Sequence, residues 1–125
     1  MIKLTRFLGV SPILKSKSTI QQTEWAPNHF AWPLVDDGKL SVKLEEIPVA
    51  GESDSHLHKR SWQFFFVLDG EADVDIKNQR YQLRKHCGIG VFPNQQHQIS
   101  NLGSEKLVFL LISSPRVEGD DIFHQ

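Results

Sequence analysis

His56-Leu57-His58-Lys59-Arg60-Ser61-Trp62-Gln63, continuing through Phe64-Phe65-Phe66-Val67-Leu68 to Asp69-Gly70, is the stretch that decides the fold. Side chains alternate between the two faces of an extended chain, so His56 and His58 share one face. A third histidine, His97, follows in Val91-Phe92-Pro93-Asn94-Gln95-Gln96-His97, with Asn101 at i+4. Two imidazoles from one strand and a third from a later strand are what a small β domain needs to hold a transition metal in its interior.

Working outward, the chain after Trp62 alternates strand and turn. Trp62 to Leu68 runs into Asp69-Gly70, a strong turn dipeptide. Glu71 to Lys77 alternates cleanly and predicts Ala72, Val74 and Ile76 inward. Asn78-Gln79 reads as the next turn, with Tyr81 and Leu83 beyond it, and Leu107 to Ile112 is an unbroken apolar run that closes the sheet. Upstream, Asp36-Asp37-Gly38 is a turn, Lys39 to Val49 a strand through Leu40, Val42, Leu44 and Ile47, and Ala50 to Ser55 a polar loop. Residues 1–35 hold Pro12, Pro27 and Pro33 and lack periodicity, so they are expected to form an irregular arm anchored by Trp25, Phe30 and Trp32. Residues 36–125 then form the β-barrel domain. No window of helical length shows 3.6-residue periodicity, and many short strands with regular turns predict an all-β sandwich or barrel.

Two strands are apolar on both faces: Trp62/Phe64/Phe66/Leu68 against Phe65/Val67, and Leu107/Phe109/Leu111 against Val108/Leu110/Ile112. One face lines the interior. The other needs cover, and a homodimer is expected, with a monomer wrapped by residues 1–35 as the alternative.

The 125 residues make one domain, and 14 basic against 15 acidic side chains give a net charge of -1. Without a basic stripe or interleaved aromatics, nucleic acid is not an expected partner. No apolar run suits a signal peptide or a bilayer span, so no membrane partner is expected. The lone Cys87 rules out an intrachain disulfide and fits a reducing, cytoplasmic setting; it is expected to be a small buried residue.

The two histidine segments resemble the motifs of the cupin family. The first family motif runs Gly, five residues, His-x-His, three or four residues, Glu, six residues, Gly. Here Gly51 stands four residues before His56, the four-residue spacer to position 63 and the six-residue spacer to Gly70 match, and Gln63 replaces the glutamate. The second ends Pro-x-Gly-x-x-His-x-x-x-Asn. Here His97-x-x-x-Asn101 matches, Asn94 takes the glycine position and Phe92 the proline position, with Pro93 beside it. Asn is the best non-glycine choice for a left-handed turn, so the exchange at Asn94 is mild.

The resemblance implies an all-β double-stranded β-helix, or jelly-roll barrel, over the motif region and its flanking strands. It also implies a divalent transition metal on His56, His58 and His97, with Gln63 as an optional fourth ligand; Fe, Zn, Ni, Cu and Mn are not distinguished by sequence. A neutral amide leaves the ion's charge uncompensated, so the site would attract anionic oxygens. Phe65, on the same face as Gln63, and Asn101 are the candidates for lining a ligand cavity. His29, His86 and His124 have no partner at ligand spacing and read as solvated or packing residues. Lys59 and Arg60 read as a solvated turn, and Gly88-x-Gly90 is no dinucleotide fingerprint.

Three functions compete on this reading. One is a metal-dependent enzyme on a small organic molecule, of dioxygenase or isomerase type. A second is a binding or sensing module for a sugar or organic acid, without turnover. A metal-free isomerase or epimerase of sugar nucleotides is a third, but it requires a basic phosphate cluster that the sequence does not show.

Overall fold

A computed structural model describes residues 11–116 and the backbone of 121–123. It is built from eleven strands: β1 (Thr23–Ala26), β2 (His29–Asp36), β3 (Ser41–Ile47), β4 (His56–His58), β5 (Trp62–Asp69), β6 (Ala72–Ile76), β7 (Gln79–Leu83), β8 (Gly88–Val91), β9 (His97–Ser100), β10 (Leu107–Ser114) and β11 (Asp121–Phe123). Among the described residues there is no helix. The strands form two antiparallel sheets, in the orders β1-β2-β3-β10-β5-β8 and β11-β4-β9-β6-β7. This is the expected all-β double-stranded β-helix.

Local chemistry sets the turns. Gly70 has φ 79°, and a Cβ there would stand 2.6 Å from the Lys106 carbonyl oxygen, so only glycine fits. The β6–β7 hairpin turns on Lys77 and Asn78, at φ 52° and 68°, one residue earlier than the sequence predicted. Two consecutive left-handed residues match the twist of a two-residue hairpin, and the Asp75 carboxylate accepts the Asn78 N–H at 3.0 Å. Gln79 is thereby the first residue of β7.

The expected irregular arm is corrected over its last third. Thr23–Ala26 and His29–Asp36 form a hairpin that extends the first sheet beyond β3. Pro33 hid this strand from the sequence reading. A proline has no N–H for the ladder, and the pairing accommodates it with a register shift between Pro33 and Val35.

The core lies between the sheets, where Ile47, Phe65, Val67, Ala72, Val74, Ile76, Val91, Leu107 and Phe109 are buried. Ala72, Val74 and Ile76 face inward as predicted. On β5 the inner row is Gln63, Phe65 and Val67, while Phe64, Phe66 and Leu68 on the outer face are half-buried. Near that outer face, the Lys17 ammonium lies 4.3 Å from the Trp32 ring centroid and 2.6 Å from Glu46. Cys87 is exposed rather than buried, because Arg84 to Cys87 form a turn closed by the Cys87 N–H to the Arg84 carbonyl.

Asn101 is corrected from cavity wall to internal tie. Its side chain is fully buried and donates to the Ile47 carbonyl at 3.1 Å and the Glu105 carbonyl at 2.9 Å, while its Oδ1 accepts the Gly103 N–H at 3.0 Å. Its backbone pairs with Ala50 and Gly51. It is absent from the lining of the barrel cavity. Asn101→Ala strands the buried Ile47 carbonyl, removes two partly buried bonds to Glu105 and Gly103 and should cost about 3 kcal/mol, read as a lower urea midpoint, with the occupancy of the histidine cluster unchanged per folded molecule.

Candidate metal centre

Period-two geometry on β4 turns His56 and His58 to the inside, and β9 opens with His97 in direct register with His56. The ligand atoms of the three imidazoles all lie within 4.8 Å of one another. Asn94 adopts φ 68°, as its place in the motif predicted, and its N–H donates to the His58 carbonyl at 2.7 Å. The turn that delivers His97 is thus anchored to the strand that carries the other two histidines.

Two of the rings share one orienting device. The His56 Nδ1–H donates to the Asp54 carbonyl at 2.8 Å, and the His97 Nδ1–H to the Gln95 carbonyl at 2.9 Å. A ring held through Nδ1–H carries its lone pair on Nε2, the tautomer that a metal requires. Burial lowers the His97 pKa to about 4; the Gln95 carbonyl opposes that shift, and the proximity of the His56 and His58 imidazoles adds to it. His97 is therefore neutral at pH 7.

Gln63 meets this cluster from the opposite sheet. Its Nε2 donates to the Ser113 hydroxyl at 3.0 Å, which turns Oε1 toward His97 Nε2 at 3.1 Å. With His97 neutral and its proton on Nδ1, that approach brings two lone pairs face to face. Two arrangements resolve it: exchange of the amide ends, with Ser113 donating to Oε1 and Nε2 donating to His97, or a shared cation, since two adjacent ligand atoms each about 2.1 Å from one ion stand roughly 3 Å apart. The donor set therefore fits a divalent transition metal held by His56, His58 and His97, with the Gln63 oxygen adjacent.

Above the cluster is a cavity of about 200 Å³, lined by Trp25, Glu45, Ser53, Phe65, Ile99, Phe109 and Leu111 together with the three histidines and Gln63. Phe65 is part of that lining, its ring centroid 6.0 Å from that of His97. Two lining residues escaped the sequence reading, Trp25 on β1 and Glu45 on β3. Glu45 is nearly buried, and burial raises its pKa to about 7 against a small opposing pull from Lys43. A signal for it existed: Leu44 and Ile47, three positions apart, cannot share a strand face, and Glu45 is in phase with Ile47.

His29 and His86 lie outside the cluster. His29 packs edge-on against Trp25, and His86 stacks on Phe66. His124 lies outside the described residues. Lys59 and Arg60 are exposed in the turn after β4.

A cupin-domain family model matches residues 43–113, more than half of the chain and both histidine segments. The chain belongs to the cupin family. This cupin is 27% identical over 83 residues to an uncharacterized protein of Methanocaldococcus jannaschii, covering 66% of each chain. It is 26% identical over 69 residues to the polyketide synthase CurC of Streptomyces cyaneus, covering 55% of this chain and 45% of CurC. The cupin thus aligns with two thirds or less of these relatives. Among solved structures, KdgF from a Halomonas species superposes with a TM-score of 0.78 at 14% identity, over 85% of this chain and 96% of KdgF. A predicted oxalate decarboxylase of Thermotoga maritima gives 0.73 at 15% identity, over 83% of this chain and 100% of that one. A sugar phosphate isomerase of the cupin superfamily from Silicibacter pomeroyi gives 0.71 at 17%, over 84% and 76%. At these identities the structural likeness speaks for the fold alone.

The raised Glu45 pKa has a direct consequence for stability. Between the ordinary carboxyl value of 4.5 and about 7, the folded state holds the proton more tightly than the unfolded chain. Stability contributed by Glu45 is therefore present below pH 4.5 and lost as pH rises through 7. Glu45→Gln removes that loss: the variant should be more stable than wild type at pH 8, by at most about 3 kcal/mol. The difference should vanish near pH 4, as read from paired thermal melts.

Proposed function

We propose that this cupin holds a divalent transition metal on His56, His58 and His97 and uses it to bind a small organic molecule in the cavity above. The observation that carries this reading is the convergence of three imidazoles whose ligand atoms lie within 4.8 Å of one another, two of them held by backbone carbonyls in the tautomer that presents Nε2. When bound, the metal would supply Lewis-acid polarisation of a ligand oxygen. Iron, zinc, nickel, copper and manganese all suit the donor set.

The chain's own residues supply the remaining requirements. Asp54 and Gln95 carbonyls orient two of the imidazoles, Ser113 orients Gln63, and Phe65, Phe109, Leu111 and Ile99 exclude water from one side of the bound molecule. This arrangement supports an enzyme of dioxygenase or isomerase type. Glu45 favours the isomerase, because isomerisation needs a group that both takes and returns a proton. The neutral Gln63 instead favours the second reading, a binding or sensing module for a sugar or organic acid. The sugar nucleotide reading is set aside, since the cavity lining contains no lysine or arginine among the described residues. A homodimer covering Phe64, Phe66 and Leu68, and a cytoplasmic setting, complete the proposal.

Elemental analysis of untagged protein tests the site. Near-stoichiometric metal is expected, lost in a His56→Ala/His97→Ala variant, and the absence of metal after reconstitution would refute it. Because protons compete for imidazole lone pairs, metal affinity should fall as pH drops through about 6.5. Affinity unchanged between about pH 8 and 5 would contradict the three-histidine centre. Gln63→Glu, which adds a negative charge beside His97, should tighten binding by about tenfold or more in chelator competition, with little change in ligand geometry.

A further inference from the structure

Glu45 is the sole carboxyl among the described residues that line the cavity. It projects from β3, on the sheet that faces the histidine-bearing strands β4 and β9. Its residue is 8% exposed. Its cross-strand partners, Ala31 on β2 and Phe109 on β10, have no side-chain group to bond it. No hydrogen bond or ion pair to its carboxyl occurs among the described residues. Buried polar groups are otherwise bonded almost without exception. A lone buried carboxyl on a cavity wall is therefore placed to meet a ligand.

We propose that Glu45 is the proton-transferring residue of this cavity, and that its substrate is a small 2-hydroxycarbonyl compound bound with its oxygens at the histidine cluster and a C–H bond turned to Glu45. The inference rests on the reading of the cavity as a metal-assisted small-molecule site. The lining selects the substrate class: oxygens suit the polar end at His56, His58, His97 and Gln63, and a short carbon skeleton suits Phe65, Phe109, Leu111 and Ile99. About 200 Å³ accommodates a molecule of triose to hexose size.

The step balances without an oxidant or reductant. The Glu45 carboxylate takes the proton from the carbon beside the carbonyl, and the C–H electron pair becomes the C=C bond of an enediolate. The carbonyl π pair moves onto its oxygen, at the histidine end. Return of the proton to the neighbouring carbon, with the hydroxyl proton passing to the former carbonyl oxygen, gives the isomer; return to the original carbon gives exchange with solvent. Burial holds the Glu45 pKa at about 7, so acid and base forms are both populated at neutral pH, which suits a group that takes and returns a proton. The charged or titratable groups that share its surroundings are Lys43 on its own strand, His29 on β2, which is in phase with Ala31 and packs on Trp25, and His56, His58 and His97 across the cavity; its β10 partner Phe109 is not titratable.

The test uses zinc-loaded protein with dihydroxyacetone in D2O, followed by NMR. Deuterium should enter the methylene groups at least about 100-fold faster with wild type than with Glu45→Gln, at equal zinc content and equal dihydroxyacetone affinity by calorimetry. The wild-type rate should climb with pH and level off below the metal-free Glu45 value of about 7, because the zinc charge favours the carboxylate. Glu45→Asp should keep that limb and recover part of the rate, whereas Glu45→Gln should lack the limb. Independently of turnover, infrared difference spectra of the metal-free protein at about pH 6 should show a protonated carboxyl band that is missing in Glu45→Gln. Equal exchange in Glu45→Gln, no exchange by a wild type that binds both zinc and dihydroxyacetone, or no such band would overturn the assignment of Glu45 and leave the binding site standing. Failure to bind zinc or dihydroxyacetone would overturn the site and the Glu45 proposal together.

Discussion

A single buried amide holds the two histidine segments in one frame. Asn101, at the end of β9, bonds the last turn of β3 through Ile47, the approach to β10 through Glu105, and its own loop through Gly103. Its backbone exchanges hydrogen bonds with Ala50 and Gly51, which begin the loop leading to β4. Every polar atom of the side chain has a partner, and polar groups so deeply buried are stable only when all are satisfied. The glycine beside it has a matching reason. A Cβ at Gly51 would lie 2.6 Å from the His29 ring, so the loop closes against β2 only with no side chain there.

Within that frame one physical effect acts in two directions. Withdrawal from water penalises whichever protonation state carries charge. It keeps the His97 imidazole neutral and available to a cation, and it keeps a proton on Glu45 far above the usual carboxyl range. The carbonyls of Asp54 and Gln95 then settle the tautomers, so that burial fixes charge while the backbone fixes direction. Gln63 completes the set because its amide has both a donor for Ser113 and an acceptor for the centre.

The barrel and its histidine segments were legible because their signals are local. An apolar run showed β5, alternation showed β6, turn chemistry showed Asp69-Gly70, and the spacing of the cupin motifs grouped His56, His58 and His97. What escaped were properties of partners distant in sequence. β2 was hidden by Pro33, which looks like a strand breaker until a register shift absorbs it. Glu45 and Glu46 were not singled out on the Lys39 to Val49 strand. One faces the cavity, and the other is held on the outer side by Lys17 and Lys106, an arrangement that no sequence window contains. Asn101 was placed at the right motif position and given the wrong duty, since an asparagine's spacing does not reveal which carbonyls surround it.

The hairpin that brings Trp25 to the cavity sits at the margin of its sheet. β1 has four residues and one neighbouring strand, and none of the core residues between the sheets comes from it. The pocket therefore has a fixed floor and a removable wall. Substitutions along Thr23–Ala26 can reshape the space above the histidines without disturbing the packing that positions them. Related chains can in this way diverge in what they admit while keeping the same centre, with the boundary strand acting as an adjustable gauge of ligand size.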